Sequence, residues 1–134
     1  MNKIEHIGIA VGDLEKAKLT FSRLLGSECY KEENVDSEGV TTVFFKVGEV
    51  KIELLAATNA NSPIAKFIDK RGEGIHHIAF EVDSVVDKAS ELANDDFIVV
   101  NEEAKNGADN KSINFVHPKS SHGVLVEICE DIIG

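Results

Sequence analysis

Basic residues are scarce in this chain of 134 residues: 14 Lys and Arg stand against 24 Asp and Glu, for a formal net charge of -10. Nucleic-acid binding relies on Lys and Arg clusters that neutralise phosphates. The densest basic stretch, Lys66 to Arg71, contains Asp69 and is too short for such a patch. No nucleic acid is therefore expected as a partner. Cysteine is rarer still. Cys29 and Cys129 are the two thiols, Met1-Asn2-Lys3-Ile4-Glu5 lacks a secretory core, and reduced cysteines are expected. No apolar run approaches the ~20 residues of a membrane-spanning helix, so no membrane partner is expected and the cytoplasm is the expected location. Ten glycines and two prolines leave no low-complexity linker. The length suits one domain of ~100–200 residues, or two small modules sharing a core.

What the chain does contain is a repeat. Alternating residues predict a strand at about 3–11, and Asp13 caps a helix carrying Leu14, Ala17, Phe21, Leu24 and Leu25 that stops at Gly26. A weaker strand near 28–34 follows, then strands at 40–47 and 50–57 around the hairpin signal Gly48-Glu49. Ser62-Pro63 opens a short helix to Arg71, with Pro in the first turn where its missing N–H costs little. The pattern then restarts. His77 to Val82 reads like His6 to Val11 displaced by 71 residues, and Val124 to Ile128 mirrors Val50 to Leu54 displaced by 74. Ser84 caps the second helix, which runs to about Asn94, and strands are predicted at 97–100, 112–116 and 124–129. The expected fold is α+β: two tandem βαβββ modules (about 1–58 and 74–131, with a connecting helix at 62–71) forming a joint curved sheet around a cleft. A module of about 60 residues buries too little surface to stand comfortably alone.

The repeat aligns His6 with His77 and Glu53 with Glu127, each among apolar neighbours. Strand side chains alternate faces, so equivalent register sends all four toward equivalent places. A strand histidine is commonly a core or surface residue, and a strand glutamate can simply face solvent. A carboxylate buried without a partner is costly, however, and a divalent cation is one obvious partner. Two imidazoles and two carboxylates suit Co, Ni, Mn, Fe or Zn and leave positions for water or substrate. His76 must point away from its neighbour His77 and reads as structural. His117 and His122 have no counterpart in the first half. Cys129 shares a strand face with Glu127 and reads as a buried, inert thiol.

These residues resemble the vicinal oxygen chelate superfamily, which includes glyoxalase I and extradiol dioxygenases, and within it the methylmalonyl-CoA epimerase family. The resemblance runs through His6–Val11, Ile52–Leu55, Ser62–Phe67 (Ser-Pro-Ile-Ala-Lys-Phe), Arg71–Ile78, His117–Ser120 (His-Pro-Lys-Ser) and Gly123–Glu127. Ser62–Phe67 and His117–Ser120 discriminate this family from its relatives. It implies one divalent metal, with cobalt favoured for activity and Ni, Mn, Zn or Mg as alternatives, held by His6, Glu53, His77 and Glu127. It implies a CoA thioester substrate, epimerised at C2 through a metal-stabilised enolate, and a homodimer. Some members carry Gln at the position of Glu53. Others use as a base a glutamate just after the Gly-Val of the third strand, where this chain has Thr42. With Thr42 there, either Glu127 or Glu53 doubles as ligand and base, or a metal-bound water or another group acts, and Glu127 is the expected acid/base group; the resemblance points to Lys119 and Ser120 as substrate contacts. The competing expectations are glyoxalase I-like isomerisation of a glutathione hemithioacetal and a non-catalytic binder of the same fold.

Overall fold

In the computed structural model, which describes residues 1–133, each half of the repeat runs strand, helix, three strands. The first half contains β1 (Lys3–Ala10), α1 (Leu14–Leu25), β2 (Lys31–Val35), β3 (Val40–Val47) and β4 (Val50–Ala57). Helix α2 (Pro63–Arg71) follows. The second half contains β5 (Gly74–Glu81), α3 (Val85–Asn94), β6 (Lys105–Gly107), β7 (Lys111–Val116) and β8 (Val126–Asp131). The α+β, twice-βαβββ pattern expected from the repeat is what is found.

The helix ends are set by local chemistry. Asp13 accepts from the Lys16 amide, Ser62 from Ile64 and Ser84 from Asp87, each satisfying an amide with no intrahelical partner. Gly26 ends α1 in the left-handed conformation at φ 71° and returns its N–H to the Ser22 carbonyl.

Contacts divide the chain into two units: residues 6–76, and residues 1–5 together with those from 77 onward. The division falls inside β1, between Glu5 and His6, and inside β5, between His76 and His77. In the unit of residues 6–76 the strands lie in the order β2-β3-β4-β1, with β1 parallel to β4 and the other pairs antiparallel. One sheet face packs Val11, Val43, Phe45 and Leu54 against Leu14, Ala17, Phe21 and Leu25 of α1. On the other face, Ile64, Phe67 and Ile68 of α2 meet Ala10, Val40 and Leu55. His76 stacks edge-on against Phe67 at 5.0 Å, the structural role expected for it.

In the other unit the order is β5-β8-β7-β6, with β5 parallel to β8. The N-terminus joins this unit through Asn2, whose amide donates to Glu81 O at 2.8 Å and whose side chain donates to Asp83. Helix α3 covers the face carrying Val82 and Ile128.

Three predicted strands need correction. The segment expected near 28–34 pairs at Lys31–Val35, because the chain is still leaving the α1 cap at Ser27. The last strand lies at Val126–Asp131, two residues later than expected. The strand expected at 97–100 is one bridge, Val99 to Val116. Val100 N and His117 N make backbone bonds around it, but Asn101 N turns to the Asn114 side chain, and the ladder ends. Edge pairing on β7 is resumed by β6. Among the described residues, no helix is long and apolar enough to cross a membrane.

Candidate metal centre

Each unit carries one copy of the same construction. In the first, Gly8 of β1 lies opposite Glu53 of β4, and His6 stands two residues before Gly8 on the same face. In the second, Ala79 of β5 lies opposite Glu127 of β8, and His77 stands two residues before Ala79. A small residue beside each glutamate leaves room for the imidazole to reach it diagonally. His6 Nε2 lies 3.3 Å from Glu53 Oε1, and His77 Nε2 lies 3.4 Å from Glu127 Oε1. All four side chains are buried.

A third residue completes each copy. Phe44 on β3 pairs with Glu53, and Phe115 on β7 pairs with Glu127. The Phe44 ring meets His6 edge-on at 6.5 Å, and Phe115 meets His77 edge-on at 6.3 Å. The two phenylalanines are also displaced by 71 residues, so the repeat held a signal for them that the four polar positions alone did not reveal. Each ring thus lies edge-on beside its imidazole.

The copies differ one rung further along. Thr42, fully buried, donates its hydroxyl to Glu53 Oε2 at 2.8 Å. The matching position on β7 is Ile113, which pairs with Cys129. Cys129 is buried and donates its thiol to Phe80 O. Burial pushes this thiol well above the ordinary range, and the charges of Glu127 and Glu5 push it further. It is a protonated, unreactive group, as expected.

The donor chemistry of each pair fits a divalent ion. Two donors placed side by side on an ion at about 2.1 Å lie roughly 3 Å apart, close to both observed nitrogen–oxygen separations. Imidazole nitrogen and carboxylate oxygen suit borderline first-row ions.

The remaining expected residues sit on a 3-10 turn at Pro118–Ser120. His117 caps it, its Nδ1 accepting from Lys119 N at 3.0 Å. The Lys119 side chain is exposed, whereas the Ser120 hydroxyl accepts from Ile98 N at 2.9 Å and tethers the preceding loop. His122 adopts a positive φ of 56° in the next turn.

Residues 5–115 match the family model of the Glyoxalase/Bleomycin resistance protein/Dioxygenase superfamily. The ethylmalonyl-CoA/methylmalonyl-CoA epimerase of Cereibacter sphaeroides is 37% identical over 130 residues, covering 96% of this chain and 97% of that protein. The mitochondrial methylmalonyl-CoA epimerase of Homo sapiens is 38% identical over 129 residues, 96% of this chain and 73% of its own. The crystal structure of methylmalonyl-CoA epimerase from Mycobacterium tuberculosis superposes with a TM-score of 0.92 at 36% identity, covering 97% of this chain and 88% of that one.

Proposed function

The chain belongs to the Glyoxalase/Bleomycin resistance protein/Dioxygenase superfamily, and we propose that within it this protein is an isomerase that inverts C2 of methylmalonyl-CoA. The observation that carries the proposal is the duplicated His–Glu–Phe construction, His6–Glu53–Phe44 and His77–Glu127–Phe115, in a chain alignable almost end to end with named epimerases.

His6, Glu53, His77 and Glu127 would together hold one divalent ion, with cobalt the proposed activator and Ni, Mn, Zn or Mg its alternatives. Such an ion, when bound, supplies Lewis-acid stabilisation of negative charge on a substrate oxygen, worth several kcal/mol.

The chain's own residues divide the remaining work. Inversion requires C2–H to lose its proton as an enolate forms, and C2 to regain a proton on the opposite face. Glu127 is the proposed base, a carboxylate oxygen taking the C2 proton. Glu53 already accepts the Thr42 hydroxyl, which supports this choice. A hydrogen bond to a carboxylate favours its charged form and makes it a weaker base. Thr42 is already a donor to Glu53 and has no basic form near neutral pH. Lys119, exposed on its turn, is a proposed contact for a substrate anion; the Ser120 hydroxyl serves first to hold Ile98 N.

Both cysteines are free, which supports a reducing compartment, and the cytoplasm is the proposed one. A homodimer is the proposed assembly, readable by sedimentation.

The deciding experiment incubates cobalt-reconstituted protein with (2S)-methylmalonyl-CoA in D2O and follows deuterium and configuration at C2. Deuterium entry with loss of stereochemical purity is expected. Absence of exchange, with turnover of methylglyoxal and glutathione instead, would transfer the protein to the glyoxalase reading.

A further inference from the structure

The residue just before His6 carries a buried charge. Glu5 is 2% exposed and is grouped with the residues from 77 onward, where its carboxylate meets a second buried charge, Lys111, which is 6% exposed. The Lys111 ammonium lies 3.9 Å from Glu5 Oε2. It also donates to Asp131, the residue opposite it across β7 and β8. Lys111 thus stands between a buried carboxylate and a largely exposed one. Taking ions out of water is expensive, so a pair of this kind calls for a reason beyond stability.

The duplication supplies its own comparison. At the displacements of 71 and 74 residues found above, Glu5 corresponds to His76, Lys111 to Val40 and Asp131 to Ala57. Val40 pairs with Ala57 as Lys111 pairs with Asp131. Val40 and Ala57 pack with Ile64 and Phe67, and His76 lies edge-on to the same Phe67. The same three positions are therefore apolar or aromatic in one copy and ionic in the other. Packing in this fold does not require the charges, and apolar residues of like volume commonly replace a buried ion pair without loss of stability. What buried polar groups add is register, their best-attested use.

Register matters acutely in β1. Successive side chains point to opposite faces, so Glu5 and His6 face opposite ways. A slip of one residue would turn Glu5 to the face of Glu53, where two carboxylates oppose each other's ionisation, and would take it from Lys111. From this we infer that Glu5 and Lys111 are positioning residues that lock the register of β1 and so present His6 to Glu53. The pair touches neither metal nor substrate and acts through His6. The inference rests on the reading of His6 as a metal ligand and supplies what holds that ligand in place.

The test uses the full chain with and without cobalt. Glu5→Leu/Lys111→Met removes both charges at similar volume, so its melting temperature by circular dichroism should stay at or above the wild-type value. Cobalt should nevertheless bind at least about tenfold more weakly, read by calorimetry, as when a group supporting a ligand is lost. In the metal-free variant, hydrogen exchange should accelerate at the amides of β1 and not at those of β5. Lys111→Arg, which keeps the cation, should bind cobalt as the wild type does. Lys70→Met, at an exposed position of α2, is the control and should change neither quantity. If the apolar pair does not fold, Glu5→Gln, which keeps the shape and removes the charge, reads the same two quantities. Wild-type cobalt affinity together with wild-type β1 exchange in the folded variant would overturn the lock. So would acceleration spread evenly over all strands, the mark of lost packing alone. Absence of cobalt binding by the wild type would overturn the metal reading alone, and the β1 exchange of the metal-free variant would then decide the lock.

Discussion

The Thr42 hydroxyl donates to Glu53 Oε2 across 2.8 Å inside the sheet, and both residues are buried. A hydrogen bond to a charged group contributes about 1.5–3 kcal/mol, and losing it leaves a buried oxygen under-satisfied. Thr42→Val is isosteric and should lower the stability of the metal-free protein by about 2 kcal/mol. Urea denaturation reads this directly. Thr42→Ser should recover most of the loss, because the hydroxyl and not the methyl carries the effect.

The two imidazole–carboxylate pairs predict how metal is lost. Removing a group that merely supports a metal ligand costs ~10–100-fold in affinity, so removing a ligand should cost no less. His6→Ala and His77→Ala should each reduce cobalt retained after dialysis by at least that factor, read by elemental analysis. Equal retention in wild type and His77→Ala would refute the ligand assignment. Glu127→Gln keeps an oxygen donor but cannot accept the proton as a carboxylate does. It should abolish C2 exchange while sparing part of the metal content.

The two thiols should behave differently. Cys129 is 0% exposed and its proton is held by burial, whereas Cys29 is partly exposed. In native protein, a disulfide reagent should modify Cys29 first, and both thiols only in denaturant. The sign of the pH effect follows from the raised native-state value. The unfolded thiol ionises near its ordinary value of 9.0 while the native one stays protonated. This contribution to stability is therefore complete below pH ~9 and declines as pH rises beyond it. Cys129→Ala should show a shallower alkaline decline in melting temperature.

Asn114 holds the segment that replaces the expected strand at 97–100. Its Oδ1 accepts from Asn101 N and Phe115 N, and its Nδ2 donates to Asn101 O at 3.0 Å. Asn114 is 1% exposed, so Asn114→Leu would strand these groups in an apolar setting. Each stranded group costs about 1–3 kcal/mol, so the loss should be at least roughly 3 kcal/mol. Hydrogen exchange at the Asn101 and Phe115 amides should accelerate more than exchange elsewhere in β7.

How much of this could be read in advance depended on which interactions are local. The caps at Asp13, Ser62 and Ser84 were legible because a side chain reaches an amide two or three residues on. His6, Glu53, His77 and Glu127 were legible because the repeat compares the chain with itself. Phe44 and Phe115 carried the same displacement but hid among ordinary core aromatics. The strand expected at 97–100 looked sound by its β-branched residues. It failed because Asn101 found a better partner in the Asn114 side chain than in a backbone carbonyl, and that partner is distant in the chain.

By itself, then, the sequence determined the two βαβββ halves, their helix ends and the four polar positions that the repeat singles out, because periodicity, capping and internal similarity are properties of neighbouring residues. Tertiary structure alone decided which carboxylate each imidazole meets, that Thr42 holds Glu53, and that Glu5 meets Lys111. Those relations depend on strand register. A shift of one residue would turn every one of these side chains to the opposite face, and nothing local to any strand specifies it.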